Sequence, residues 1–282
     1  MAKAKMTEVA RRPAAGLPVK GGAMDFAAEA GRGMEGTTND SFAIPFLSIL
    51  QKGSPQVDEA SGAVLKGAKA GMIYETVSKK LHDGKAGVII LPCAYKRTFL
   101  RWGARDNGGG FKGEFTPEAV AKMRGDGTIK DLENRLYFPM PDGSINLKKC
   151  DLIADHRNHF VLLIDEDEGT ALKSLLSLKS TQIKKSKHLM SVLADIRIGP
   201  AGGKFCPPTY ANKIGMVTVP EKNDDGTWYG VEFDLRGQLV AGEENYYEMA
   251  RDFHASIAKG EATVKYDDMD ERGELNAPTR GF

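Results

Sequence analysis

Apolar positions first gather in "DSFAIPFLSILQKG", where Ile44, Phe46, Leu47 and Leu50 cluster. Pro45 has no N–H and biases its predecessor toward extended backbone, so an extended segment leading into a turn is predicted there. Further on, "GVIILPCAYKRTFLRW" passes from a β-branched run into strict alternation, the pattern of one long or bent strand. In "TPEAVAKMRG", Thr116 is placed as N-cap, Pro117 as first helical residue and Glu118 in the first turn of a helix. Asp142-Gly143 marks a β-turn, and "HFVLLIDEDEG" reads as a buried strand entering an acidic turn.

The stretch "TALKSLLSLKSTQIKKSKHLMSVLADI" carries Leu172, Leu175, Leu176, Ile183, Leu189, Met190 and Leu193 at mostly helical spacing, which predicts one or two helices. "YANKIGMVTVPEKNDDGTWYGVEFDL" reads as a hairpin turning at Asp225-Gly226, with Tyr229, Val231, Phe233 and Leu235 on one face, assigned to the core side. "NYYEMARDFHASIAKG" is a short amphipathic helix. No internal repeat is visible. The order of strands, helical middle, strands and final helix predicts an α+β, β-rich domain rather than regular βαβ alternation.

Residues 1–40, rich in Ala, Gly, Lys and Arg, read as a flexible N-terminal arm. Residues 41–260 form a single domain in this reading, and 261–282 an acidic, disordered C-terminal tail. Of the 282 residues 27% are charged, yet the net charge is only +1, so a polyanion-binding role must rest on how the charge is distributed. Cys93, Cys150 and Cys206 are far apart and odd in number, against a disulfide framework and in favour of a reducing compartment. No apolar run reaches the ~20 residues of a membrane helix, and the N-terminus lacks the apolar core of a secretory signal. A cytoplasmic protein with no membrane partner is expected.

The segment 93–113, "CAYKRTFLRWGARDNGGGFKG", combines rings and cations. Alternation puts Tyr95, Arg97, Phe99 and Arg101 on one face and Lys96, Thr98, Leu100 and Trp102 on the other. Rings interleaved with guanidinium groups suit single-stranded nucleic acid, because bases stack on rings while cations neutralise phosphates. Tyr95, Phe99 and Trp102 are therefore read as stacking residues, and Lys96, Arg97, Arg101, Arg105 and Lys112 as a phosphate track. The competing reading is a half-buried strand whose rings pack inward.

Between Thr170 and Ala194 stand five lysines and no acidic residue. A run of one sign loses the i,i+4 pairing that a solvated helix ordinarily gains, which points to an opposing anion. Lys179, Lys184, Lys185 and Lys187 thus extend the predicted footprint; the alternative is a face opposing the acidic loop Asp165–Glu168 of the same chain. In the tail, Asp267, Asp268, Asp270, Glu271 and the terminal Phe282 are read as a partner-binding segment, with an inert solubilising terminus as the alternative.

Other patterns carry less. "GGGFKG" follows a basic rather than an apolar strand, which does not suit a dinucleotide fingerprint, and "GPAGGKF" lacks the Gly and Ser/Thr of a phosphate loop. Cys150, His156 and His159 do not have standard zinc spacing, so no metal and no cofactor is expected. Asp165 to Glu168 lie before the expected helix, where carboxylates favour the positive helix end. No nucleophile motif accompanies them, so the chain is read as a non-enzyme.

An aromatic and basic strand, a helical insertion, a closing hairpin and an acidic tail ending in Phe282 together resemble the single-stranded DNA-binding proteins of tailed phages. "DSFAIPFLSILQKGSPQV", "STQIKKSKHLMSVL" and "VPEKNDDGTWYGVEF" are likewise similar to segments of phage replication and recombination proteins. The resemblance implies an OB-fold-like antiparallel barrel with helical insertions. It also implies sequence-independent coating of single-stranded DNA, replication or recombination partners recruited through the tail, and possible homo-oligomers. A metal-dependent nuclease or annealing recombinase using Asp165 to Glu168, or a phage structural or interaction protein, are the alternatives.

Overall fold

A computed structural model describes residues 32–37 and 41–266, except 105, 107, 167, 201, 202, 225, 263 and 265. The chain divides at Thr38, and all the helices and strands described lie in the unit that follows, Asn39–Phe282. That unit is β-rich α+β.

Its spine is the 15-residue strand β4 (Val88–Trp102). One edge pairs along most of its length with β8 (Leu152–Asp165), antiparallel. Its other partners are split: β10 (Asn212–Asn223) at Val88–Ile90, and β5 (Phe111–Phe115) at Phe99–Trp102. Between those two stretches, side chains reach the carbonyls of β4. Thr209 donates to Pro92 O at 2.7 Å, and His254 Nδ1 lies 2.8 Å from Cys93 O. Pro92 itself brings no N–H to the ladder, and the register with β8 shifts between Pro92 and Ala94. A bulge at a strand proline is the expected accommodation, and it bends the strand.

Strand β9 (Thr170–Lys179) lies on the far edge of β8, and β11 (Gly226–Gln238) on the far edge of β10. The order is therefore β9-β8-β4-β10-β11. Helix α2 (Ile183–Asp195) connects β9 to β10. Among the described residues no ladder joins β9 to β11, so the sheet is not a closed barrel. Three short strands, β1 (Leu47–Ile49), β2 (Ile73–Glu75) and β3 (Leu81–His82), form a separate antiparallel sheet. A single parallel bridge from Phe46 to Leu175 ties it to β9.

Both faces of the central strands are buried. On one, Ile90, Val161, Leu163, Leu176, Ile214, Met216 and Val231 pack with Leu189 and Leu193 of α2. On the other, Leu91, Leu100, Trp102, Phe160, Leu162 and Leu175 pack under helix α3 (Glu244–Ala258) through Ala250, Phe253 and Ile257. This is why "GVIILPC" and "HFVLLI" are continuous apolar runs instead of alternating ones. Between β4 and β8, helix α1 (Pro117–Gly125) and the hairpin of β6 (Lys130–Leu132) and β7 (Arg135–Tyr137) add a small third cluster around Phe99, Val120, Ile129 and Ile153. The cap of α1 is as the sequence predicts: Thr116 Oγ1 accepts from Ala119 N at 3.2 Å, with Pro117 at the start. Among the described residues no helix is long and apolar enough to cross a membrane.

Two expectations are corrected. Residues 170–179 are strand, not helix, and only Ile183 onward is α2. The acidic stretch is therefore followed by a strand and not by a helix. Asp165 instead pairs with Lys80, and its Oδ1 accepts from Glu168 N at 3.1 Å.

Candidate nucleic-acid interface

The alternation along β4 is as read: Arg97 stacks on Phe99, its guanidinium 4.7 Å from the ring centroid, while Leu100 and Trp102 pack on the opposite face. The exposure is not. Phe99 is 5% and Trp102 1% exposed, each inside an apolar cluster. The expectation that these two rings offer themselves to bases is corrected: a ring sealed in a core has no free face. Tyr95 stays half-buried, its hydroxyl 3.0 Å from Arg157 Nη1 and its ring 5.2 Å from that of His159.

The guanidinium groups are engaged as well. Asp155 takes Arg97 in a two-pronged pair, at 2.7 and 3.1 Å, and also takes Arg157 at 2.9 Å. Arg101 pairs with Asp151 at 2.6 Å and lies 4.1 Å from the centroid of Phe138. The sequence pattern starts this strand only at His159 and so leaves Asp151 and Asp155 without a place; β8 begins at Leu152, which sets Asp155 across from Phe99 and Arg157 across from Arg97. Lys96 and Lys112 are exposed on β4 and β5. Arg105 lies outside the described residues, as do the tail positions Asp267, Asp268, Asp270, Glu271 and Phe282.

The lysines of the next stretch divide. Lys185 is bound to Glu232 at 3.2 Å and Glu221 at 3.7 Å. Lys184 and Lys187 are exposed on α2, and Lys179 is half-buried at the end of β9. They do not share a channel with the β4 arginines, which are held against β8. Lys179 lines a cleft beside β9, and Lys185 reaches the β10–β11 hairpin.

The open seam between β9 and β11 has its own construction. The edge of β11 not paired with β10 is met by two glutamine side chains. Gln51 accepts from Tyr229 N at 2.8 Å and donates to Tyr229 O at 2.9 Å, while Gln182 accepts from Val231 N at 2.9 Å. Gln182 also donates to Glu221 at 2.9 Å, and Glu221 accepts from Trp228 Nε1 at 2.8 Å. These contacts crowd Gly230: a Cβ there would come within 2.6 Å of both Gln182 and Glu221. The segments holding Gln51, Gln182 and Tyr229 lie far apart in sequence, and nothing in their local patterns predicts the junction.

Above this junction β1 peels away from β9 and leaves a cleft of about 140 Å³, lined by Phe46, Tyr74, His156, Lys179, Gln182 and Tyr229 among others. Lys52 follows Gln51, and Lys184 follows Gln182 by two residues; both are exposed. The polarity of the cleft is set from behind. Asn158 Nδ2 donates to Thr98 and to Tyr266, both at 2.8 Å, so its Oδ1 is left to accept from Ser177 at 2.7 Å. Ser177 Oγ then receives Nδ1–H of His156 at 2.9 Å. Burial pushes the Tyr266 phenol up to about 12, which keeps this chain neutral. The Nε2 of His156 is left buried with no partner, a bare acceptor. Burial, with the Lys179 charge adding to it, lowers the imidazole from its ordinary 6.5 to about 3, so it is neutral at physiological pH.

Cys150, His156 and His159 do not converge. His159 Nε2 bonds Ser186 of α2 at 2.8 Å, on the side of β8 opposite to the His156 chain, and Cys150 Sγ lies against Asn146 N. Among the described residues no group of three or more His, Cys, Asp or Glu side chains is placed to hold a metal ion.

Fold and site together define an open antiparallel sheet protein with a cleft of mixed apolar and polar lining beside β9, Lys179 among its walls. A family model described as the Pam3 phage gp34-like protein matches residues 15–263, and the chain belongs to this phage protein family. No curated protein and no solved structure matches it.

Proposed function

We propose that this phage protein binds single-stranded DNA without sequence preference, as a non-enzymatic component of phage replication or recombination in the host cytoplasm. The observation that carries the reading is the strand order β9-β8-β4-β10-β11 with a helix between β9 and β10. OB-folds share that connectivity, a partly open five-stranded Greek-key barrel, and we assign this chain to the same type. In such barrels strands two and three and their flanking loops meet the nucleic acid; the counterparts here are β8 and β9, whose ends line the cleft.

Charge distribution supports the same surface. Lys52 and Lys184, exposed, stand within two residues of the seam glutamines, Lys187 is exposed further along α2, and Lys179 lines the cleft, in a chain whose net charge is only +1. In this reading the interface is the seam between β9 and β11 and not the face of β4; Lys96 and Lys112 are exposed on β4 and β5. The acidic segment after Tyr266 remains the proposed contact for partner proteins.

The test is retention of the purified chain on immobilised single-stranded DNA against duplex of equal length. Preferential retention on single strands is expected. Equal retention on both, or none, overturns the reading.

A further inference from the structure

A single-strand binder offers bases an exposed ring beside unpaired cations, and burial removes Phe99 and Trp102 from that part. Among the described residues two aromatic rings are exposed, Phe42 and Phe205, each 55%. Phe42 has no Lys or Arg nearer in sequence than Arg32 and Lys52. Phe205 adjoins Lys204, and from Ile196 to Lys213 the chain carries three cations and no carboxylate side chain. Of the three, Lys213 is taken by Glu243 at 2.8 Å. Arg197 and Lys204 are exposed and, among the described residues, neither meets a carboxylate.

Backbone contacts hold the ring in place. Phe205 N donates to Ile198 O and its carbonyl accepts from Ile198 N, both at 2.9 Å. Arg197, next to that bridge, donates to Ala194 O at 2.6 Å and to Ile196 O at 2.8 Å, which ties the bridge to the C-terminal end of α2. A cation is favoured at that end, and the carbonyls leave its charge unneutralised. At Gly199, with φ +111°, a Cβ would lie 2.9 Å from Gly203 O and 3.6 Å from the ring, so the position is kept for glycine and no side chain covers Phe205 from there. A protein partner asks for a contiguous apolar patch. The chain neighbours of Phe205, Gly203, Lys204 and Cys206, bring little apolar surface to one.

Resting on the single-strand reading above, we propose that Phe205 is a stacking platform for one base of a bound single strand, with Lys204 and Arg197 supplying the positive field for its phosphates. Stacking uses the face of a base, which every base has and which a duplex keeps against its neighbours. The contact is therefore indifferent to sequence and favours single strands. Charge runs the same way along the chain. Lys184, Lys185, Lys187, Arg197, Lys204 and Lys213 stand against one acidic residue, Asp195, in that stretch. From Lys187 to Ala194 the helix rises about 10 Å at ~1.5 Å per residue, well within the ~4–16 nucleotides that one OB-type site covers. The segment "GPAGGKF", which fails as a phosphate loop, thus ends in the Lys-Phe pair that makes the contact.

The full chain is titrated by fluorescence anisotropy with a labelled strand of about thirty nucleotides, longer than one OB-type site covers, and with an abasic strand of equal length. Phe205→Ala should weaken binding of the base-bearing strand about five- to hundredfold, the share of one stacked base, and leave the abasic strand and the melting temperature alone. Phe205→Trp should keep the wild-type affinity. Phe205→Leu, apolar but without a ring, should lose as much as Phe205→Ala does. Unchanged affinity in folded Phe205→Ala overturns the platform and spares the function. So does a loss that is equal on both strands, or one that Phe205→Leu repairs, which would mark an apolar contact with something other than a base. Failure of the wild type to bind either strand overturns both.

Discussion

The side-chain amide of Gln51 takes both hydrogen-bonding groups of the Tyr229 backbone, standing beside β11 as a neighbouring strand would. With Gln182 on Val231 N, it caps an edge that would otherwise expose a row of unpaired amides. The two glutamines occupy edge positions of β11 that a pairing strand would use.

Gln51→Ala removes both contacts and leaves the Tyr229 amide half-buried. A loss of about 1–3 kcal/mol is expected, since stranding a partner costs more than a hydrogen bond contributes net. Thermal melting should register it as a drop of about 2–4 °C per kcal/mol in a domain of this size. An unchanged melting temperature would mean that the edge is satisfied by solvent instead.

Stability should fall as pH drops below 6.5. Burial and the Lys179 charge hold folded His156 near 3, and burial with the Arg157 charge holds folded His159 near 4, against 6.5 unfolded. Below 6.5 the unfolded chain gains protons that the folded chain refuses, so the loss runs from 6.5 down to those folded values. Each histidine contributes a slope of up to about 1.4 kcal/mol per pH unit. Urea titrations between pH 7 and pH 5 check this, and His156→Phe should remove one proton from the slope.

Fluorescence should separate the two tryptophans. Trp102 is sealed under Phe111 and α3, while Trp228 is half-buried at the seam with its indole N–H on Glu221. Iodide should quench Trp228 and spare Trp102. Adding single-stranded DNA should change the emission of Trp102→Phe and leave that of Trp228→Phe nearly constant. A response carried by Trp102 would return the interface to β4.

Much of the frame could be read in advance. The hairpin that closes at Asn223 and Gly226, the cap of α1, the extended entry around Phe46 and the amphipathic α3 all rest on local signals, which the fold keeps. The misreading of 170–179 has a physical cause. Leu175 faces α3, while Leu176 and Leu178 face α2, so a strand buried on both sides loses its period of two and imitates a helix. In β11 Val231 is buried and Phe233 packs against the core, but Leu235 is largely exposed, because β11 has outrun the core at that point. Cross-strand pairing hid the rest. Arg97 and Arg101 look like phosphate ligands until Asp155 and Asp151 are set beside them, and the seam glutamines carry no local signature.

The most direct measurement is the affinity for a single strand as a function of salt, for wild type, Lys184→Ala/Lys187→Ala and Arg97→Ala. Log affinity should fall with log salt by about 0.7 per phosphate neutralised. The lysine pair should flatten that slope, and Arg97→Ala, whose cation is already spent on Asp155, should lower stability while leaving the slope alone. Affinity indifferent to salt, or a slope flattened by Arg97→Ala and untouched by the lysines, would contradict an interface at the seam.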